Sequence, residues 1–247
     1  MFKPGKLREE VLLSIAARLA KSSLAHSVWV VLFAVLARIM LNLSGMAAVI
    51  VWLAPLAVVV VKHRVLRYEL FLIKETIEAQ LGLCNRWDIV DDSLYLGSVP
   101  LEPSDSDMLI KKLGVTALLS FFDPDLQTAS TAVGRAIQPS DWKFFDLQQL
   151  VIPVPDTSVK LSLDRLQQSA DYLNTSLSAG HKVYVHCRSG KRQGALAVLA
   201  YFIKYKGLSA AESYRQLRTT RRLAFSSTAS KEMGSLRQFE GSFRNRR

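Results

Sequence analysis

The stretch Val183-Tyr184-Val185-His186-Cys187-Arg188-Ser189-Gly190-Lys191-Arg192-Gln193-Gly194 constrains this chain more than any other. A short apolar strand runs into a turn that carries a cysteine, glycine lets the backbone curl, and an apolar helix is expected to begin near Ala195. Successive backbone N–H groups of such a loop point inward, and the N-terminus of the following helix adds partial positive charge. Together they make an anion cradle sized for a phosphate. The same field favours the thiolate form of Cys187, which makes this cysteine a candidate nucleophile. A buried structural cysteine is the plainer alternative, and the glycine and basic residues around Cys187 argue against it.

The segments around the loop carry their own signals. Upstream, residues 161–177 place Leu163, Leu166, Ala170 and Leu173 on one helical face, and Gly180 stops the pattern. Downstream, residues 195–205 are apolar on nearly every side, as in a central buried helix. Ser209 and Glu212 form a capping-box pattern at the start of a helix running to Leu217, and a last helix is expected over 230–243. Further upstream the pattern predicts a helix over 104–113 behind Pro103, a strand over 115–122, irregular connections over 123–141 and a strand over 143–153.

The first quarter of the chain reads differently. Leu7, Val11, Leu12, Ile15 and Leu19 line one side of a basic amphipathic helix. Residues 28–61 are then almost wholly apolar, broken mainly by Arg38, Asn42 and Ser44, and are longer than the roughly 20 residues that one membrane span requires. The expected arrangement is a helical hairpin of 24–41 and 46–61 around a turn at 42–45. Arg38 then lies near the turn and reaches the interface, avoiding the cost of about 2.5–3.5 kcal/mol at a bilayer centre. Lys21 precedes the hairpin and Lys62, Arg64 and Arg67 follow it, so the positive-inside rule puts both ends in the cytoplasm. A single span with a re-entrant piece is the alternative. Val65, Leu66, Leu70, Ile73, Ile77 and Leu81 then mark a connector helix ended by Gly82. The resulting division is an amphipathic helix and membrane hairpin over 1–61, a connector over 62–86 and a folded domain over 87–247.

A net charge of +11 suits nucleic acid, an anionic membrane or a polyanionic substrate. No zinc-finger spacing or nucleic-acid motif is present, so nucleic acid is set aside as a partner. From Arg215 to Arg247 nine Arg or Lys stand against two Glu, which reads as a solvated basic face or as a surface for anionic lipid head groups. The two cysteines, Cys84 and Cys187, form no disulfide framework and fit a reducing compartment. The histidines show no metal-ligand grouping, so neither a metal nor another cofactor is expected.

At the loop the chain resembles the cysteine-dependent phosphatases of the dual-specificity and protein-tyrosine-phosphatase superfamily, whose signature is His-Cys, five residues, then Arg. His186, Cys187 and Gly190 match it. The arginine position holds Gln193, the next position, usually Ser or Thr, holds Gly194, and an arginine stands one place early as Arg192. A guanidinium grips two phosphate oxygens and is always charged, whereas a glutamine amide brings donors without charge. Losing one transition-state donor of that kind costs on the order of 10²–10³ in rate. The departures point to a slow enzyme, to a rearranged loop in which Arg192 turns inward, or to a binding module.

The resemblance implies an α/β phosphatase fold, a central mixed sheet flanked by helices, here preceded by the N-terminal transmembrane hairpin. It further implies Asp156 as general acid, 31 positions before Cys187 by number (187 − 156) and following the strand that ends at Pro153. A turn aspartate after proline is the alternative for Asp156, and Asp123, Asp125 and Asp146 are weaker candidates for the acid. His186 is implied to order the loop. Arg188, Ser189, Gly190, Lys191, Gln193 and Gly194 are implied to surround the substrate phosphate, with Arg192 as catalytic replacement for the signature arginine. Residues 88–100 resemble the first strand of dual-specificity phosphatases, with their Leu-Gly-Ser-x-Pro ending. The overall pattern from Leu94 to Phe239 is similar to phosphatidylglycerophosphate phosphatases of the mitochondrial type. The expected function is therefore that of an integral membrane phosphatase with its domain on the cytoplasmic side, acting on an anionic phospholipid through a phosphocysteine. The alternatives are a catalytically impaired module that binds phosphorylated lipid or protein, and a protein tyrosine or dual-specificity phosphatase.

Overall fold

The structure, a computed structural model, describes residues 28–32, 35–36, 63–102, 104–127, 130–155, 161–221 and 229–244. Residues 28–32 and 35–36 are helical, but the rest of the expected amphipathic helix and hairpin lies outside the described residues, as does Asp156. Among the described residues no helix is long and apolar enough to cross a membrane.

Two compact units are present, residues 1–84 with 128–135, and residues 85–127 with 136–247. In the first, helix α1 (His63–Gln80) buries Tyr68 and Leu72. It ends as expected, with Gly82 at positive φ (71°) and Leu83 N–H donating back to Glu78 O at 2.9 Å. The buried carboxylate of Glu69 accepts from Ala132 N–H at 2.9 Å, within a short hairpin of Ser130–Thr131 and Gly134–Arg135.

The second unit is built on a five-stranded sheet. Strands β1 (Trp87–Asp91) and β2 (Leu94–Gly97) pair antiparallel, and β2 then pairs in parallel with β7 (Val183–His186). Strand β3 (Ala117–Phe122) lies parallel to β7 on one side and to β6 (Gln148–Pro153) on the other, giving the order β1-β2-β7-β3-β6. The short pair of the first unit supplies β4 and β5. The sheet is mixed, as expected. The stretch 88–100, read from sequence as one strand, is instead a hairpin turning at Asp92 and Ser93.

Alternation along the strands separates two layers. Leu94, Leu96, Ala117, Leu119, Val183 and Val185 face one core, packed on the helices α4 (Leu163–Ser178), α5 (Gln193–Tyr205), α6 (Ala210–Thr220) and α7 (Ala229–Arg244). Tyr95, Leu118 and Tyr184 face a smaller core with Leu109, Val115, Ile137 and Trp142. Helix α5 is buried from Gln193 to Ile203, the central helix that its apolar composition requires. Ser209 and Glu212 form the capping box of α6.

Three boundaries differ from the sequence reading. Helix α5 begins at Gln193 rather than near Ala195, so Gln193 and Gly194 belong to its first turn. The helix expected over 104–113 is one α-helical turn (α2, Ser104–Asp107) that widens into a π-helical turn, Met108–Lys112. The strand expected from 143 starts only at Gln148, because Asp141–Phe145 forms a 3₁₀ turn. Burial of Trp142 pins that turn to the core, and Asp146 at φ 52° reverses the chain before β6. Between β3 and the hairpin, Pro124–Gln127 forms the short helix α3.

Candidate active site: the Cys187 loop

Because β2, β7, β3 and β6 run in parallel, their C-terminal ends share one edge of the sheet, and Cys187 follows β7 directly at that edge. The cysteine is buried, with 2% of its surface exposed. Residues 188–192 turn over it and deliver the chain into α5, whose first backbone bond runs from Leu196 N–H to Arg192 O at 2.8 Å.

The polarity of the loop follows from where its carbonyls go. Arg188 O accepts from Val99 N–H at 3.1 Å. Ser189 O accepts from an Arg221 terminal nitrogen at 3.0 Å, and Gly190 O accepts from Arg221 Nε at 2.9 Å. In a trans peptide the N–H points opposite to its own C=O. Three consecutive carbonyls turned toward Val99 and Arg221 therefore leave the N–H groups of Ser189, Gly190 and Lys191 on the other side of the loop. Added to the N-terminus of α5, these donors give the loop the donor set that an anion cradle requires.

Arg221 was not singled out by sequence reasoning, yet it is central to this geometry. It is the C-terminal cap of α6, 3% exposed, and besides the two loop carbonyls its guanidinium donates to Asp88 Oδ2 at 2.7 Å and to Leu96 O at 3.3 Å. One side chain thus ties β1, β2 and the loop together. In sequence it sits in the basic C-terminal run that reads as a solvated or lipid-facing surface. Its partner Asp88 lies 133 residues away, and no local pattern announces the pair.

Two glycines permit the close approach of loop and sheet. Gly190 has φ 63°, and a Cβ there would meet the carbonyl of Gly97. A Cβ on Gly97 would in turn meet the hydroxyl of Tyr184, which donates to Ser98 O at 2.6 Å. A further brace holds the chain leaving β2. Arg86 donates to Val99 O at 2.9 Å and pairs with Asp105 at 2.9 Å, while Asp105 accepts from Leu101 N–H at 2.8 Å.

His186 is the last residue of β7. It is 1% exposed, its ring stacks on Tyr184 with centroids 5.7 Å apart, and Nε2 lies 2.8 Å from Ser120 Oγ on β3. Burial without a charged partner pushes its pKa down to about 3, so the ring is neutral at physiological pH. Ser120 was not foreseen as its partner.

The remaining loop residues are distributed as follows. Arg188, Ser189 and Lys191 are half-buried, and Gln193 and Gly194 are buried in the first turn of α5. A Cβ on Gly194 would lie 3.0 Å from Leu96 Cδ1, so the hydroxyl-bearing residue usual at this position needs Leu96 to shift. Arg192, the N-cap of α5, directs Nε to 3.7 Å from Oε1 of the buried Glu232 on α7. Among the weaker carboxylates, Asp123 Oδ1 accepts from Asp125 N–H at 3.1 Å, a turn role before α3. Asp146 precedes β6 and so lies at the edge of the sheet opposite Cys187. The segment leading to Asp156 leaves β6 at the Cys187 edge, with Val154 N–H bonded to Phe122 O at 2.9 Å. Among the described residues no group of three His, Cys, Asp or Glu side chains could hold a metal ion.

Comparison with known proteins agrees with this geometry. The description "Dual specificity phosphatase, catalytic domain" matches residues 94–242. Phosphatidylglycerophosphate phosphatase PTPMT1 of Arabidopsis thaliana is 27% identical over 135 residues, 55% of this chain and 37% of that protein. The human phosphatidylglycerophosphatase and protein-tyrosine phosphatase 1 is 28% identical over 128 residues, 52% of this chain and 61% of that protein. The chain thus spans less than two thirds of the length of either curated relative. Among solved structures, the crystal structure of PTPMT1 in complex with PI(5)P superposes with a TM-score of 0.58 at 20% identity, covering 66% of this chain and 99% of that one, which shows a shared fold. The cradle over Cys187, the mixed sheet that presents it and the match from Leu94 onward lead to one assignment: the chain belongs to the dual specificity phosphatase catalytic-domain family, a family of phosphoric monoester hydrolases.

Proposed function

We propose that this chain is a membrane-anchored, cysteine-dependent phosphatase that removes phosphate from a phospholipid head group. The observation that carries the catalytic part is the set of loop carbonyls held outward by Val99 and Arg221, which leaves three N–H donors and the α5 N-terminus for an anion above Cys187. The Cys187 sulfur attacks phosphorus, the S–P bond forms and the P–O bond to the head group breaks. Asp156 gives its proton to the departing oxygen. In the second half water attacks the phosphocysteine, Asp156 takes the water's proton, and the S–P bond breaks to release phosphate and the thiolate. The loop amides carry the charge on the equatorial oxygens, with Arg188, Lys191 and the Gln193 amide around them. Arg192 contributes when the phosphoryl group replaces Glu232 as its partner.

A phospholipid substrate is supported by the named activity of the curated relatives, by the net charge of +11 and by the apolar run over 28–61. Taken as a hairpin with basic flanks, that run supports a domain on the cytoplasmic side. Labelling a Ser44→Cys variant in sealed vesicles tests this placement, and labelling from the cytoplasmic side alone replaces the hairpin with a re-entrant loop. The pairing of Arg192 with the buried Glu232, together with Gln193 at the signature position, favours a second reading, a module that binds phosphorylated lipid or protein without turnover. Phosphate release from a panel of phospholipids and phosphopeptides, against a Cys187→Ser control, separates the two. Release that depends on Cys187 supports the enzyme, and binding without release supports the module.

A further inference from the structure

The ring of His186 is held from two sides. Tyr184 stacks on it at an interplanar angle of 28°. Ser120, its register partner on β3 and 1% exposed, brings Oγ to 2.8 Å from Nε2. Behind Ser120, the side-chain amide of Gln149 on β6 donates to the same Oγ at 3.3 Å. Three neighbouring strands thus contribute one hydrogen-bonded row, Gln149–Ser120–His186, which ends one residue before Cys187.

The row has a direction. Gln149 gives its N–H to Ser120 Oγ, and the hydroxyl has one hydrogen of its own to give. Among the described residues Ser120 bonds with Gln149 and His186, so that hydrogen goes to His186 Nε2. Nε2 is then the accepting nitrogen, and the proton of the neutral ring sits on Nδ1. The opposite tautomer would put two N–H groups on one oxygen and leave a buried hydroxyl hydrogen without an acceptor, which is the costlier arrangement.

One group is left over. Nδ1 is buried, and among the described residues it has no hydrogen-bond partner. It is bonded directly to Cγ, so it is the ring nitrogen closer to the main chain, which continues as the peptide to Cys187. An N–H without an acceptor in apolar surroundings favours negative charge nearby, because a low dielectric strengthens the attraction. Cys187 gains such a charge when its thiol ionises. Burial keeps the ring neutral, so it acts as a fixed dipole rather than as a cation.

We propose that Ser120 and Gln149 are positioning residues, which hold His186 as the Nδ1–H tautomer and so raise the reactivity of Cys187. This inference deepens the phosphatase reading, on whose nucleophile it rests, and it reaches Cys187 only through His186.

Two measurements on the full chain in mild detergent test it. Proton–nitrogen NMR of the histidine rings distinguishes a protonated from a bare nitrogen, and the His186 signals are those that His186→Gln removes. The rate of Cys187 alkylation by iodoacetamide, read by mass spectrometry of its peptide at one mildly acidic pH, reports the thiolate without requiring turnover. The intact chain is expected to carry the proton on Nδ1. Gln149→Glu presents a carboxylate that only accepts, so the Ser120 hydroxyl turns toward it and His186 is expected to switch to Nε2–H. Ser120→Ala, which removes the hydroxyl, is expected to slow alkylation about three- to tenfold with His186 no longer held as Nδ1–H. A proton on Nε2 in the intact chain, or on Nδ1 in Gln149→Glu, overturns the proposal. So does an unchanged alkylation rate in Ser120→Ala, or a slowed one with the proton still on Nδ1, which assigns the effect to packing. A chain that shows the expected tautomers and rates but releases no phosphate loses the phosphatase reading and keeps this one.

Discussion

Arg192, the N-cap of α5, reaches across to α7, where its Nε lies 3.7 Å from Oε1 of Glu232, a carboxylate only 1% exposed. The pair joins the mouth of the Cys187 loop to the last helix of the domain. Glu232 is costly to bury, and Arg192, one third exposed, brings it an opposite charge at the edge of solvent. Removing the arginine alone takes an opposite charge away from the buried carboxylate. Arg192→Ala is expected to destabilise the domain by about 1–3 kcal/mol, read as a fall in melting temperature. Adding Glu232→Gln to that variant is expected to restore part of the loss. Strict additivity of the two substitutions would remove the coupling.

Arg221 makes a second prediction about the same loop. Its guanidinium donates to Gly190 O, Ser189 O, Leu96 O and Asp88 Oδ2, a fan of donors that a lysine cannot reproduce. Arg221→Lys is expected to cost about 3 kcal/mol or more, since Asp88 and two loop carbonyls lose partners. The cradle loses definition with it, so phosphate binding to the Cys187→Ser chain is expected to weaken at temperatures where the variant is still folded. Asp88→Asn, which keeps the carbonyl contacts, is expected to cost less and to leave phosphate binding near its original strength. Comparable effects from both variants would place Arg221 in general stability rather than in shaping the loop.

The legible part of this fold and site was the part encoded locally. The sequence His186 to Gly194 carries the loop, the capping box of α6 is written in Ser209 and Glu212, and the apolar run of α5 predicts its burial. What stayed hidden depends on tertiary contacts. The 3₁₀ turn at Asp141–Phe145 contains strand-forming aromatics, and only the burial of Trp142 beside an exposed Phe144 (1% and 88%) shows that they do not lie in a ladder. Likewise Arg221 looks like any other residue of a basic run until Asp88, on another strand, meets it.

Stability should depend on pH through His186. In the folded chain its pKa is pushed down to about 3 by burial, against 6.5 for the ordinary side chain. Between these values the unfolded chain holds a proton that the folded chain does not, so stability rises with pH across that window and is flat with respect to this group above it. Lowering the pH from 6.5 is expected to cost up to about 1.4 kcal/mol per unit from this residue alone. Melting temperature followed from pH 8 to pH 5, in the intact chain and in His186→Gln, isolates the effect, because carboxylate titration is common to both. A parallel decline in the two would assign the acid sensitivity elsewhere.

The last prediction concerns the position where the family signature is broken. Gln193 is the first residue of α5 and is buried, and its amide brings no charge to the helix start. The transition state of phosphoryl transfer spreads charge over three equatorial oxygens, and the loop amides alone must carry it unless a cation joins them. Arg192 is adjacent in sequence, but it can do so only by leaving Glu232. If that exchange occurs during turnover, Arg192→Ala lowers kcat by about 10²–10³ and Gln193→Ala changes it little. If it does not, Arg192→Ala alters stability but not kcat, and Gln193→Arg, by returning a guanidinium to the helix start, raises activity sharply. The Gln193→Arg gain is expected to be largest when Leu96→Val is added together with Gly194→Ser, since the Gly194 Cβ direction runs to 3.0 Å from Leu96 Cδ1 and the restored hydroxyl needs that space. Single-turnover rates of these variants on one lipid substrate decide between an enzyme that borrows Arg192 and a cradle that holds phosphate without cleaving it.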